Sequence, residues 1–147
     1  MTNISQEEID NTWRKIGTLS EVAILRLQQR HLKRQKAITR YIAKQVENFR
    51  EDAASVFLYV AHVVLEASEQ HTPRPKRVSS TEVKRALAEV SASEFESPEQ
   101  NLITYAREAF TEVSGEDDVV LSEYELDSFL AIINAMALCI HRAIGKT

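Results

Sequence analysis

Glycine and proline are scarce in this chain, three of each in 147 residues. Sheet proteins need such residues at their turns, so the shortage argues for helices. Cysteine is scarcer still. Cys139 has no second thiol to pair with, and its apolar surroundings predict a buried, inert side chain in a reducing compartment. The N-terminus, MTNISQEEID, lacks the basic and apolar regions of a secretory signal. The longest apolar run, 129–140, is interrupted by Asn134 and is shorter than a bilayer crossing requires. The expectation is a cytoplasmic protein that does not use a membrane.

What is present is ordinary in amount and unusual in placement. Apolar residues make up 44% and charged residues 27%, proportions that suit a single helical domain over 1–147. The net charge of −4 conceals a segregation. Residues 14–50 contain ten basic side chains and two acidic ones, whereas 91–127 contain eleven acidic side chains and Arg107 alone.

Helix starts are marked by capping boxes, in which a Ser or Thr accepts from a free backbone N–H and an acid or amide three residues on answers it. The pattern occurs at Ser5/Glu8, Thr18/Glu21, Ser79/Glu82, Ser97/Gln100 and Ser122/Glu125, with Pro98 at the expected first position of the fourth. Helices are therefore expected near 5–16, 18–70, 80–92, 98–114 and 122–144. The fold class is all-α: a bundle of one long N-terminal helix and about four shorter ones. A continuous helix over 18–70 would be about 75 Å long, against a globule diameter of about 40 Å for this chain length. It must break or protrude, and residues 48–52, NFRED, offer the best place for a kink. Residues 70–79, with two prolines, read as a linker between the two halves. The segments 56–65 and 129–140 are apolar nearly all round and belong at the centre or at a subunit interface.

The basic segment carries the functional question. On one helix, Arg26, Arg30, Lys33, Arg40 and Lys44 fall within about 80° of one another, and Arg34 and Lys36 widen the face. The opposite face is apolar at its ends but presents Gln28, His31, Gln35 and Thr39 in the middle. That predicts a segment that projects from its own protomer or packs on something polar.

Other chemistry is sparse. His62, Glu66 and Glu69 stand at i, i+4 and i+7, so one helical face could hold a divalent metal. No Glu-x-x-His pair accompanies them. Cys139 and His141 point apart on a helix and do not make a nucleophile–base pair. The terminal GKT lacks the glycine of a phosphate-binding loop, and GEDDVVLSEYE lacks the glycine of a calcium loop. The latter reads as a connection, with Asp117 and Asp118 near a helix terminus. HLKR at His31 lacks the small neighbour of a phosphotransfer histidine. Trp13, Tyr41, Tyr59 and Tyr105 read as core or interface anchors, and Asn134 as a satisfied polar group or a register device.

These features point to a non-enzymatic interaction or adaptor protein without a cofactor, homo-oligomeric as a dimer. Its basic face, Arg26, Arg30, Lys33, Arg34, Arg40 and Lys44, would meet acidic protein surface, the acidic half of the same protein first. Nucleic-acid binding through that face is the alternative, disfavoured by a pI of 5.6. A metal-dependent helical enzyme using His62, Glu66 and Glu69 is the third reading.

Overall fold

A computed structural model describes residues 3–91, 95–116 and 120–144, with backbone alone over 113–116. Seven helices form among the described residues: α1 Gln6–Gly17, α2 Glu21–Arg34, α3 Lys36–Val46, α4 Glu51–His71, α5 Ser80–Val90, α6 Gln100–Glu116 and α7 Glu123–Ile144. No strand occurs among them. Asp117, Asp118 and the terminal GKT lie outside the described residues.

The long N-terminal helix is not formed. Residues 18–70 divide into α2, α3 and α4, and the two breaks have different causes. Near residue 50 the expected break occurs. Asn48 and Phe49 donate to carbonyls only three residues back, and Arg50 then leaves helical geometry. The second break, at Gln35 (φ −130°, ψ 59°), has neither glycine nor proline beside it. Its cause is tertiary. The Gln35 side-chain amide donates to the Lys76 carbonyl at 3.0 Å, and its oxygen accepts from the Val78 N–H at 2.9 Å. One buried amide thus satisfies the backbone of the 70–79 linker and pins it to the corner between α2 and α3.

Three capping boxes form as the pattern dictates, at Ser5/Glu8, Ser79/Glu82 and Ser122/Glu125. Two do not. Ser20, not Thr18, caps α2 by accepting from Ala23 N–H. Ser97 accepts from Glu99 N–H, and α6 begins at Gln100, leaving Pro98 outside it. Glu99 is itself wholly buried, accepting from Ile4 N–H at 3.0 Å and from His141 Nδ1 at 2.6 Å. That carboxylate ties the N-terminal segment, the start of α6 and the end of α7 together.

The core is built on α4 and α7, whose residues 63–68 and 135–140 are buried without interruption. Phe57, Phe110 and Phe129 meet at its centre with ring centroids 4.9 to 6.3 Å apart, and Phe49 closes edge-on over Phe129 at 4.8 Å. By length and composition α7 could cross a membrane, but most of its apolar window is buried inside the protein. Asn134 donates to the Leu130 carbonyl one turn back.

Candidate functional site

Two helical stripes meet between α2 and α4. His62, Glu66 and Glu69, spaced by four and three residues, share a stripe of α4, and it meets Arg30, His31 and Arg34 of α2, where Arg34 lies four and three residues beyond the other two. Arg30 bonds both carboxylates, through one guanidinium nitrogen to Glu66 and through Nε to Glu69 at 3.2 Å. Arg34 donates to Glu69 at 2.8 Å, and Gln70 donates to Glu66 at 3.2 Å. His31, 1% exposed, places Nε2 3.1 Å from Glu66 and Nδ1 2.8 Å from Nδ1 of His62. The imidazole planes lie 12° apart with centroids 5.0 Å apart. Since the facing nitrogens are so much closer than the centroids, the rings meet edge to edge through a hydrogen bond.

This geometry assigns the protons. Burial opposes charge on His31, but hydrogen bonds to Glu66 and Glu69 outweigh it and raise its pKa. Burial and the neighbouring His31 charge push His62 down to about 4. Between the lowered pKa of His62 and the raised pKa of His31, His31 is the imidazolium that donates from both nitrogens, and His62 is the neutral acceptor. Burial would raise the Glu69 carboxyl, yet His31 and Arg34 hold it down at about 2. Glu66 is lowered likewise against its own burial, by His31 and Arg30.

The structure therefore sorts the expected residues differently from their linear pattern. His31, Glu66 and Glu69 bring ligand-type atoms within 4.8 Å of one another. In the sequence-based metal set His62 stood in the place that His31 takes here. Two guanidinium groups and an imidazolium already compensate those carboxylates. Of the four inward polar residues, Gln28 is half-buried and the other three have hydrogen-bond partners, so the stretch packs on polar groups of its own chain and does not project. His31 and Gln35 are buried and hydrogen-bonded, and Thr39 donates to the Gln35 carbonyl. Nor does the acidic half supply the counterpart of Arg30 and Arg34, which is α4. Among the described residues, Arg50 with Glu125, at 3.0 Å, is the ion pair that joins 14–50 to 91–127.

The cations left over divide in two. Arg26 and Lys33 are exposed on α2, on the side that also exposes Val22, Leu25 and Leu32. Lys36, Arg40 and Lys44 line a groove between α3 and α5, where Arg77 and Lys84 join them from the other bank. Its apolar lining is Ala37, Tyr41, Val78, Val83 and Leu87, and no carboxylate of a described residue lines it. The groove encloses about 660 Å³ and takes in the start of α5 at Ser79 and Ser80. None of its five cations forms an ion pair with another described residue. Arg77 and Lys84, from the linker and the helix after it, extend the basic face as the sequence allows, but only the packing of α3 against α5 makes the two stretches the sides of one groove.

Nucleophilic chemistry has no support in this arrangement. Burial pushes the Cys139 thiol up to about 11, and His141 faces Glu99 instead. Of the four aromatic anchors, Tyr105 is buried and Tyr41 half-buried in the groove wall, but Trp13 and Tyr59 are exposed. No protein-family model, curated protein or solved structure matches this chain.

Proposed function

We propose that the protein is a non-enzymatic interaction module that binds an acidic amphipathic segment of a partner protein in the groove between α3 and α5. The observation that carries this reading is the groove's composition: five cations without an ion pair to another described residue at its edges, apolar side chains within, and no carboxylate among its described lining residues. A phosphate backbone would use the cations and leave the apolar lining wet. An amphipathic acidic helix uses both, laying its apolar residues on Tyr41, Val83 and Leu87 and its carboxylates against Lys36, Arg40, Lys44 and Lys84. The test titrates a labelled Glu/Leu amphipathic peptide, duplex DNA and single-stranded RNA at low and high salt. Peptide binding that drops about tenfold or more in R40E/K44E supports the proposal. Oligonucleotide binding with a steep salt dependence and no peptide binding favours the nucleic-acid reading instead. If no probe binds, the groove is ordinary solvated surface.

Self-association is a second reading, favoured by the outward side of α2. Val22 and Leu25, then Gln29 and Leu32, repeat as a and d positions over two heptads, and all four are exposed. Glu21 and Gln28 fall at g, Arg26 and Lys33 at e. In a parallel pair, Glu21 faces Arg26 of the second copy and Gln28 faces Lys33, so the flanks complement each other; an antiparallel pair would set Arg26 and Lys33 against their own kind. Two heptads make a small, reversible interface, helped by a helix already ordered within its own protomer. Sedimentation should show a concentration-dependent dimer that Leu25→Glu abolishes. A strict monomer at high concentration would rule it out.

A further inference from the structure

We propose that a second cleft, formed by α1, α4 and α6 and separate from the basic groove, binds a multiply charged organic cation of the linear polyamine class. Each helix contributes one stripe of residues three or four apart. From α1 come Asp10 and Trp13, from α4 Val56 and Tyr59, and from α6 Tyr105, Glu108 and Glu112. The cleft encloses about 520 Å³, a volume within the range of small-molecule sites.

Its charge has one sign. Among the described residues no lysine or arginine lines it, and three carboxylates do. Glu108 and Glu112 form no ion pair with a described residue, and Asp10 accepts a hydrogen bond from Gln6 alone, at 3.0 Å. Such a cleft concentrates cations.

Its aromatic content is out of place for mere surface. Trp13 and Tyr59 are 39% and 43% exposed and both line the cleft. Tyr105 is only 8% exposed, yet its hydroxyl makes no hydrogen bond to another described residue. Burial raises its pKa, with Tyr59 and Glu112 adding to the effect, and all three residues line the cleft. No buried side-chain polar atom among the described residues is left unsatisfied, so this hydroxyl opens on the aromatic cleft, where its oxygen can accept from an ammonium N–H. The aromatic faces supply the rest, because a ring's negative face attracts an alkylated ammonium. Trp13 already takes part in such a contact: the guanidinium of Arg14, which does not line the cleft, lies 5.8 Å from its ring centroid.

The arrangement selects among cations. A bare metal ion needs ligand atoms that converge, and among the described residues the only such group is His31, Glu66 and Glu69, elsewhere in the molecule. The three cleft carboxylates are spread along two helices and suit charges separated by methylene spacers. Those spacers would lie on Val56, Val60 and Ala109.

Trp13 is the only tryptophan in the chain, so its fluorescence reports on the cleft directly. The full chain is titrated with a linear triamine such as spermidine, with tetramethylammonium, and with magnesium chloride matched for ionic strength. The expected result is a saturable change with the triamine, a weaker response to tetramethylammonium and none beyond baseline with magnesium. Calorimetry on E108Q/E112Q, whose changes are on exposed side chains, should show affinity reduced by about tenfold or more with the circular dichroism unchanged. Tyr105→Phe should weaken binding without abolishing it. The proposal is overturned if magnesium reproduces the triamine response or if E108Q/E112Q binds as the parent does. It is equally overturned if a lysine-rich peptide binds and the free triamine does not, since the cleft would then be a protein-docking surface.

Discussion

Between α2 and α4, one imidazolium serves a carboxylate and a second imidazole at once, and this makes His31 and His62 unequal. The folded pKa of His62, about 4, lies below its ordinary value of 6.5. The stabilisation from holding it neutral is therefore complete above about pH 6.5 and is lost as pH falls toward 4. His31 works the other way, its folded pKa being raised: its contribution is full below pH 6.5 and is lost as pH climbs through the raised value. Glu69, held at about 2, adds a loss below pH 4.5. We expect stability to decline on acidification from pH 6.5 to 4 by an amount on the order of 2–3 kcal/mol attributable to His62. Chemical denaturation of His62→Gln, which can still accept from His31, should show a flatter profile over that interval. An unchanged profile would contradict the proton assignment. Both residues were legible as chemistry-bearing, and His31 was correctly placed on the inward side of its helix. Their pairing was not, since His31 and His62 are 31 residues apart and belong to different helices.

At the scale of elements, the capping boxes show how far local chemistry reaches. Ser5, Ser79 and Ser122 sit where an extended residue leads into a helix, and each accepts from the N–H three residues on. The corner at Gln35 lies beyond such rules. Nothing in KRQKA breaks a helix, and the corner exists because the Gln35 amide finds two backbone groups of the linker. Gln35→Ala should leave the buried Val78 N–H without a partner and destabilise the fold by about 1–3 kcal/mol. Hydrogen exchange should place the loss at Val78. If the corner were instead intrinsic to α2 and α3, protection there would survive the substitution.

For the whole molecule, the aromatic centre determines whether the helices hold together. Phe129 touches Phe49, Phe57 and Phe110, which come from the α3–α4 connection, α4 and α6. Phe129→Ala should cost about 3–5 kcal/mol, measurable by thermal unfolding. A loss within about 1 kcal/mol would mean the core closes over the gap. The same packing distributes charge. With Arg30 and Arg34 committed to α4, the remaining cations gather in the α3–α5 groove, while Asp10, Glu108 and Glu112 border the cleft on α1, α4 and α6. The two surfaces carry opposite charge and are lined by different helices.

Composition and periodicity by themselves determined that this chain is helical, where α1, α5 and α7 begin, and that 56–65 and 129–140 supply much of the core, because caps and apolar stripes act within a few residues along the chain. Tertiary structure alone decided that 18–70 would also bend at Gln35, which cations stay free, and which aromatics remain in water. Those outcomes depend on partners tens of residues away, where a hydrogen bond or an ion pair forms only once packing has brought the two groups together.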